Sequence, residues 1–129
     1  MITNEGRDYL MDNGFVGPFY IGLYIAARQV HPGDTLSTFL ADAVECVATP
    51  ARIEMVATRS QGVFSNLMSP AVFSFTASGT AIGSFVATAL TGGTLISAEQ
   101  FPTIKHYNVG DSINAVSSIP VIPVQGPAS

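Results

Sequence analysis

Phe19-Tyr20-Ile21-Gly22-Leu23-Tyr24-Ile25-Ala26-Ala27 is the densest apolar run of the chain, and it carries three aromatic rings. Both alternating sets of side chains are apolar, and a glycine among aromatic and β-branched residues argues against an ordinary helix. The run therefore reads as the central strand of a small antiparallel β-sandwich and is expected to end near Arg28-Gln29. Phe19 and Leu23 are its candidate core residues.

Upstream, Phe15-Val16-Gly17-Pro18 is a turn. Before it, Thr3 can cap a short helix from about Asn4 to Asp12, with Glu5 in the first turn and Asn13-Gly14 as its stop. The apolar side of that helix is thin, with Tyr9 and Leu10 beside Met11, so it needs the sheet to hold it. Downstream, His31-Pro32-Gly33-Asp34 breaks the strand pattern. Thr35 to Asp42 either forms a short capped helix carrying Leu36, Phe39 and Leu40 or is an ordered loop, and a loop with one helical turn is expected.

Two extended pieces flank Pro50, which marks an edge or a bend. In the first, Val44, Cys46 and Ala48 alternate with Glu45, Val47 and Thr49; in the second, Ile53 and Met55 alternate with Arg52 and Glu54. Thr58 to Asn66 reads as a polar connection with Val63 and Phe64 turned inward. Ala71 to Thr76 and Ala81 to Leu90 alternate clearly about Ser78-Gly79 and read as a hairpin, whose Phe73, Phe75 and Phe85 join the core. Burying each of these rings contributes roughly 1.5–3 kcal/mol. Thr91-Gly92-Gly93 is a further turn, Thr94 to Ser97 a short strand, and Phe101 to Asn108 an extended but interrupted run. A last strand from Ser112 to Ser118 follows, with Ile113 and Ala115 on one side. Ile119-Pro120-Val121-Ile122-Pro123-Val124 is apolar, but its two prolines remove ladder donors, so it reads as an extended tail and a possible docking arm.

The chain of 129 residues fits one domain. It divides into a helix over 1–14 packed on the domain, a sandwich over 15–118 and a Pro-rich tail over 119–129. Hydrophobic residues make up 47% and charged residues only 11%, against about 25% charged in ordinary domains. Mean hydropathy is +0.39. No apolar stretch reaches the ~20 residues of a spanning helix, so other protein chains rather than a membrane are expected to cover the surface. The net charge of -4 and the scattered Arg7, Arg28, Arg52, Arg59 and Lys105 give no basic patch for nucleic acid. The start of the sequence lacks the pattern of a secretory signal, which sets the expected site of synthesis in the cytoplasm.

Chemistry is thinly represented. No two carboxylates are spaced for acid and base work, and neither Ser60 nor Ser65 has a histidine near it in sequence. His31 and His106 are distant and in loop-like contexts, and the lone Cys46 lies in an apolar stretch as a buried small hydrophobe. The glycines of Thr91-Gly92-Gly93 lack the lysine and helix of a phosphate loop. A non-enzymatic role without cofactor or metal is expected.

Several pieces in order carry a family resemblance: Ile2-Thr3-Asn4-Glu5-Gly6 with Tyr9-Leu10, Phe19 to Tyr24, Ser69-Pro70-Ala71-Val72-Phe73-Ser74-Phe75-Thr76, Ile82-Gly83-Ser84-Phe85, and Val109-Gly110-Asp111. The set resembles a group of small tailed-bacteriophage virion proteins, in which "TNEGLNYLL", "YVGLF", "PASFTIT", "IxGAFL" and "GD" segments recur in that order. The resemblance implies a β-sandwich, jelly-roll-like, acting as a capsid cement or decoration protein on the outer shell of the virion. Its partners would be the major capsid protein and copies of itself, as a dimer or trimer, with no nucleic acid and no membrane. It brings no catalytic residues. The sequence departs from the family pattern between His31 and Gln61, which makes His31, Pro32 and Arg59 candidate partner contacts, together with Ile119, Pro120, Val121, Ile122 and Pro123 of the tail. A tail component of the particle, such as an adaptor, fibre or spike piece, is the alternative. A third reading is a carbohydrate-binding module that would stack sugars on Tyr20, Tyr24 and Tyr107.

Overall fold

The computed structural model describes residues 2–13, 18–46, 51–55, 58–60, 63–65 and 70–120, with the backbone alone for 58–60, 63–65 and 118–120. It is mainly β, and all its strand pairings are antiparallel. In order, the elements are α1 (Asn4–Asn13), β1 (Tyr20–Tyr24), α2 (Leu36–Ala43), β2 (Arg52–Glu54), β3 (Thr58–Ser60), β4 (Val63–Ser65), β5 (Ala71–Ser74), β6 (Gly79–Ala87), β7 (Leu95–Tyr107), β8 (Ser112–Ala115) and β9 (Ser118–Pro120). They form a four-stranded sheet in the order β2-β1-β6-β7, a three-stranded sheet β3-β4-β9 and a two-stranded sheet β5-β8.

The aromatic run does occupy the interior of the main sheet, between β2 and β6, with Ile21, Leu23 and Tyr24 buried. It stops at Tyr24, earlier than its apolar composition suggests. The amides of Ile25 and Ala26 turn instead to the Ala43 carbonyl at the end of α2, and Arg28 is drawn to Asp34. Gly22 has a specific reason to be glycine. It is the direct cross-strand partner of Phe85, and a Cβ there would lie 2.5 Å from the end of that ring. The same device recurs twice: Gly83 opposes Tyr24 and Gly79 opposes Tyr107. In each pair the ring fills the place a side chain would take.

The two faces of this sheet are covered differently. Ile21 and Leu23 share an apolar cluster with Phe73 of β5, Phe75, and Ile113 and Ala115 of β8. On the opposite face Tyr24, Phe85 and Leu95 pack with Leu36, Phe39 and Ala43 of α2. Phe19, Met55, Val86 and Ile96 make a third cluster, closed by Ile2, Tyr9 and Leu10. All five predicted core residues, Phe19, Leu23, Phe73, Phe75 and Phe85, are therefore buried, but in three clusters rather than one.

α1 begins as expected, with the Gly6 amide donating to Thr3 Oγ1 at 3.0 Å. Thr3 also fixes the helix to β7, because its amide donates to Ile96 O and its hydroxyl to the Leu95 carbonyl. Gly6 lets the helix come close, since a Cβ would sit 2.6 Å from Ile96 Cα. Leu36–Ala43 is a helix capped by Thr35, and not the expected loop. Thr35 and Thr38 exchange side-chain to backbone bonds in a capping box, and Leu36, Phe39 and Ala43 fall on the buried side. The helix ends on Val44, whose φ of 60° is unusual for a β-branched residue.

Three pairings depart from the sequence reading. β5 does not form a hairpin with β6; it pairs with β8, while β6 lies between β1 and β7. Thr76 to Ser78 carry the chain from one sheet to the other; β5 alternates buried and exposed as expected, whereas β6 is buried on both faces from Ala81 to Ala87. Thr58 to Asn66 contains the paired strands β3 and β4 rather than a plain connection, and the inward turn of Val63 and Phe64 lies outside the described side chains. Ile119 and Pro120 do enter a ladder, as β9 on β4. β9 is the edge strand of its sheet, the position where a missing proline donor is tolerated. Thr94 to Ser97 and Phe101 to Asn108 merge into the single long β7. Its interruption survives as a bulge: β6 advances from Ala81 to Gly83 while β7 passes from Lys105 to Gln100. The expected turns at Phe15 to Gly17 and Gly14, the alternation over 47–49 and the role of Pro50 lie outside the described residues.

Candidate interaction surface

The predicted contact residues fall in two places. Arg59 and Ile119 flank Phe64 in one row of the three-stranded sheet, and Ser60, Val63 and Pro120 make the next row. His31 and Pro32 belong elsewhere, in an exposed turn held by the Asp34 amide on His31 O and by the Asn4 amide on Pro32 O. Val121, Ile122 and Pro123 lie outside the described residues. The register thus brings Arg59, Ile119 and Pro120 into neighbouring rows of one sheet, whereas His31 and Pro32 lie in a turn that is not part of it.

Arg28, Arg52 and Glu5 are used internally. Arg28 grips Asp34 with two nitrogens, at 2.5 and 2.9 Å, and approaches Asp42 at 3.5 Å. Hydrogen bonding from Arg28, helped by the His31 amide and the Thr38 hydroxyl, lowers the Asp34 carboxyl to about 2. Arg52, which sequence reading treated as one of several scattered cations, is buried. It holds Glu45 with two nitrogens at 2.9 and 3.0 Å, donates to the carbonyls of Ala89 and Gly92, and lies 5.2 Å over the Phe85 ring. Glu5 Oε2 accepts from the amides of Leu36 and Leu95, joining α1, α2 and β7. A cleft of about 250 Å³ between Glu5, Leu36, Leu40, Arg52 and Gly93 is consequently a joint whose charged groups are already engaged.

A wider groove, of about 520 Å³, opens between the end of β7 and β8. Thr103, Ile104, Lys105 and His106 form one wall, and Ser112, Ile113 and Asn114 the other. Ile113 is buried beneath it, whereas Ile104 is 44% exposed and Lys105 and His106 are exposed. Lys105 Nζ lies 5.4 Å over the Phe101 ring. His106 Nδ1 is 3.3 Å from the Thr80 hydroxyl, which places this histidine in a strand and not in the loop expected for it. Among the described residues no carboxylate lines the groove. The bulge creates it: Phe101 to Ile104 have no register partner on β6, so this part of β7 swings clear of the ladder. The one sequence signal was Pro102 inside an otherwise strand-like run.

Cys46, Tyr24 and Tyr107 are all buried in the core. Cys46 is buried, its Sγ 3.2 Å from the Tyr107 hydroxyl, and burial pushes the thiol pKa up, away from a reactive thiolate. Burial also raises Tyr24 and Tyr107 to about 12 each. Both tyrosines are buried, so neither offers a sugar a face to stack on. Among the described residues no three His, Cys, Asp or Glu side chains gather as a metal site, and no helix is long and apolar enough to cross a membrane. No protein-family model, curated protein or solved structure matches the chain.

Proposed function

We propose that this chain is a structural protein of a virus particle, a cement or decoration protein that binds the outer surface of the major capsid shell, alongside further copies of itself, and stabilises it. The observation that carries the binding role is a surface poor in charge and studded with large apolar side chains: Met11, Val72, Leu90, Ile104, Val109 and Val116 are all exposed. Together with a composition of only 11% charged residues, these side chains support a surface that other chains cover, as in interaction proteins. The viral assignment rests on the ordered resemblance of five segments to small phage virion proteins. We further read the domain as a β-sandwich in which β5 and β8 form a second layer over β1, an arrangement supported by the cluster of Ile21, Leu23, Phe73, Phe75 and Ile113. The test is to delete the gene and purify particles. Heads lacking the chain are expected to open at lower temperature than wild-type heads and to regain their resistance when purified protein is added. Heads of unchanged resistance, or label found on the tail, would overturn the assignment.

A further inference from the structure

We propose that the groove between β7 and β8 binds an extended acidic segment of a partner polypeptide by strand addition. The assignment rests on the reading of the chain as an interaction protein and adds the chemistry of the partner and the place where it docks.

Three observations carry it. First, the two walls are strand edges. β7 is the last strand of its sheet, and among the described residues β8 pairs only with β5. Asn108 to Asp111 join them in a turn closed by the Asn108 amide on Asp111 Oδ2, yet the strands splay apart instead of forming a ladder with each other. A strand laid along either edge would extend that sheet's ladder, the geometry that β-augmentation uses. Second, the other half of the same β7 edge is already occupied in this way: Ile2 bridges to Ser97 and the Thr3 amide donates to Ile96 O. Pro102, which cannot donate, separates the half of the edge that Ile2 and Thr3 cover from the half that no described residue covers.

Third, the charge is complementary to an acidic guest. Arg28 and Arg52 are paired with Asp34 and Glu45. Among the exposed charges of the described residues outside the groove, Arg7 is the one cation against Asp8, Asp12, Asp42, Glu54, Glu99 and Asp111, so that surface is negative on balance. Lys105 and His106 stand on a groove with no carboxylate among the described residues of its lining. The Lys105 charge therefore favours an acidic strand at this site over the net-negative remainder of the described surface. The hydroxyls of Thr103 and Ser112 and the amide of Asn114 add hydrogen-bonding partners for side chains of the guest.

The experiment titrates the full chain with a synthetic peptide of about eight residues, glutamate alternating with valine, and with a lysine-for-glutamate counterpart. Amide NMR and hydrogen exchange are the readouts. Saturable binding of the glutamate peptide is expected, with shifted and more slowly exchanging amides at Thr103 to His106 and Ser112 to Asn114. Lys105→Glu, an exposed position whose change leaves the fold intact, should weaken binding about tenfold, and Lys105→Gln less. Equal binding of the lysine peptide, protection at other residues, shifts at the groove without slowed exchange, or no saturation at about 1 mM would each overturn the proposal. Failure of the particle experiment leaves a positive peptide titration standing, so the two readings fail separately.

Discussion

Gly83 shows how closely single residues are constrained in the main sheet. A Cβ at this position would meet the Glu99 carbonyl and lie 2.5 Å from Tyr24 Cζ, and Tyr24 is itself fixed edge-on to Phe39 at 5.0 Å. Neither neighbour can retreat without opening the cluster beneath α2. Gly83→Ala should therefore cost about 1–3 kcal/mol in chemical unfolding. Gly33→Ala, which meets nothing within 4 Å, should stay within about 0.5 kcal/mol of wild type. A second constraint is electrostatic. The folded-state pKa of Asp34 is depressed from 3.8 to about 2, chiefly by the Arg28 hydrogen bonds. Between those values the unfolded chain binds more protons than the native one, so stability rises with pH. The contribution is present above the ordinary aspartate value and is lost as pH falls through about 2. Asp34→Asn is expected to flatten this acid limb in unfolding curves measured across that window, and an unchanged slope would show that Asp34 is not its source.

At the scale of elements, Arg52 joins pieces that are distant in sequence: Glu45 after α2, β2 itself, and the turn from Ala89 to Gly92. Its side chain is 4% exposed. Arg52→Met leaves a carboxylate and two carbonyls without their donor and should cost about 3–5 kcal/mol, whereas the double variant with Glu45→Leu should recover part of the loss. A double-mutant cycle in urea measures both, and a double variant no better than Arg52→Met alone would show that the pair is not coupled. Nothing in the sequence marked Arg52 as buried, because its partners come from residues 7 to 40 positions away. The strands were legible, since alternation states which side chains share a face. The partner of each strand was not, because a period of two is the same whether β5 pairs with β6 or with β8. α2 was missed for a local reason: its capping box uses Thr38 where glutamate or glutamine is the usual signal. The groove depends on a bulge, and a bulge is a property of two strands in register, of which the sequence displayed only Pro102.

For the whole molecule, the question is whether the C-terminal segment serves the fold or the assembly. The ladder of β9 on β4 divides the predicted tail in two: Ser118 to Pro120 belong to a sheet, whereas Val121 to Ser129 follow it. Removing Ser118 to Ser129 strips β4 of one neighbour and leaves its edge open, so this truncation should lower stability and favour association through the bared strand. Removing only Val121 to Ser129 keeps every described pairing and should leave the denaturation midpoint unchanged. If the apolar, proline-spaced segment acts as a docking arm, the shorter truncation will also lose occupancy on particles in a sedimentation assay at equal fold stability. Full occupancy by that variant would move the contact elsewhere, to the β7–β8 groove or the apolar residues around it. Combining Lys105→Glu with the shorter truncation tells whether one site or two hold the chain in place: independent sites add in free energy, and a shared one does not.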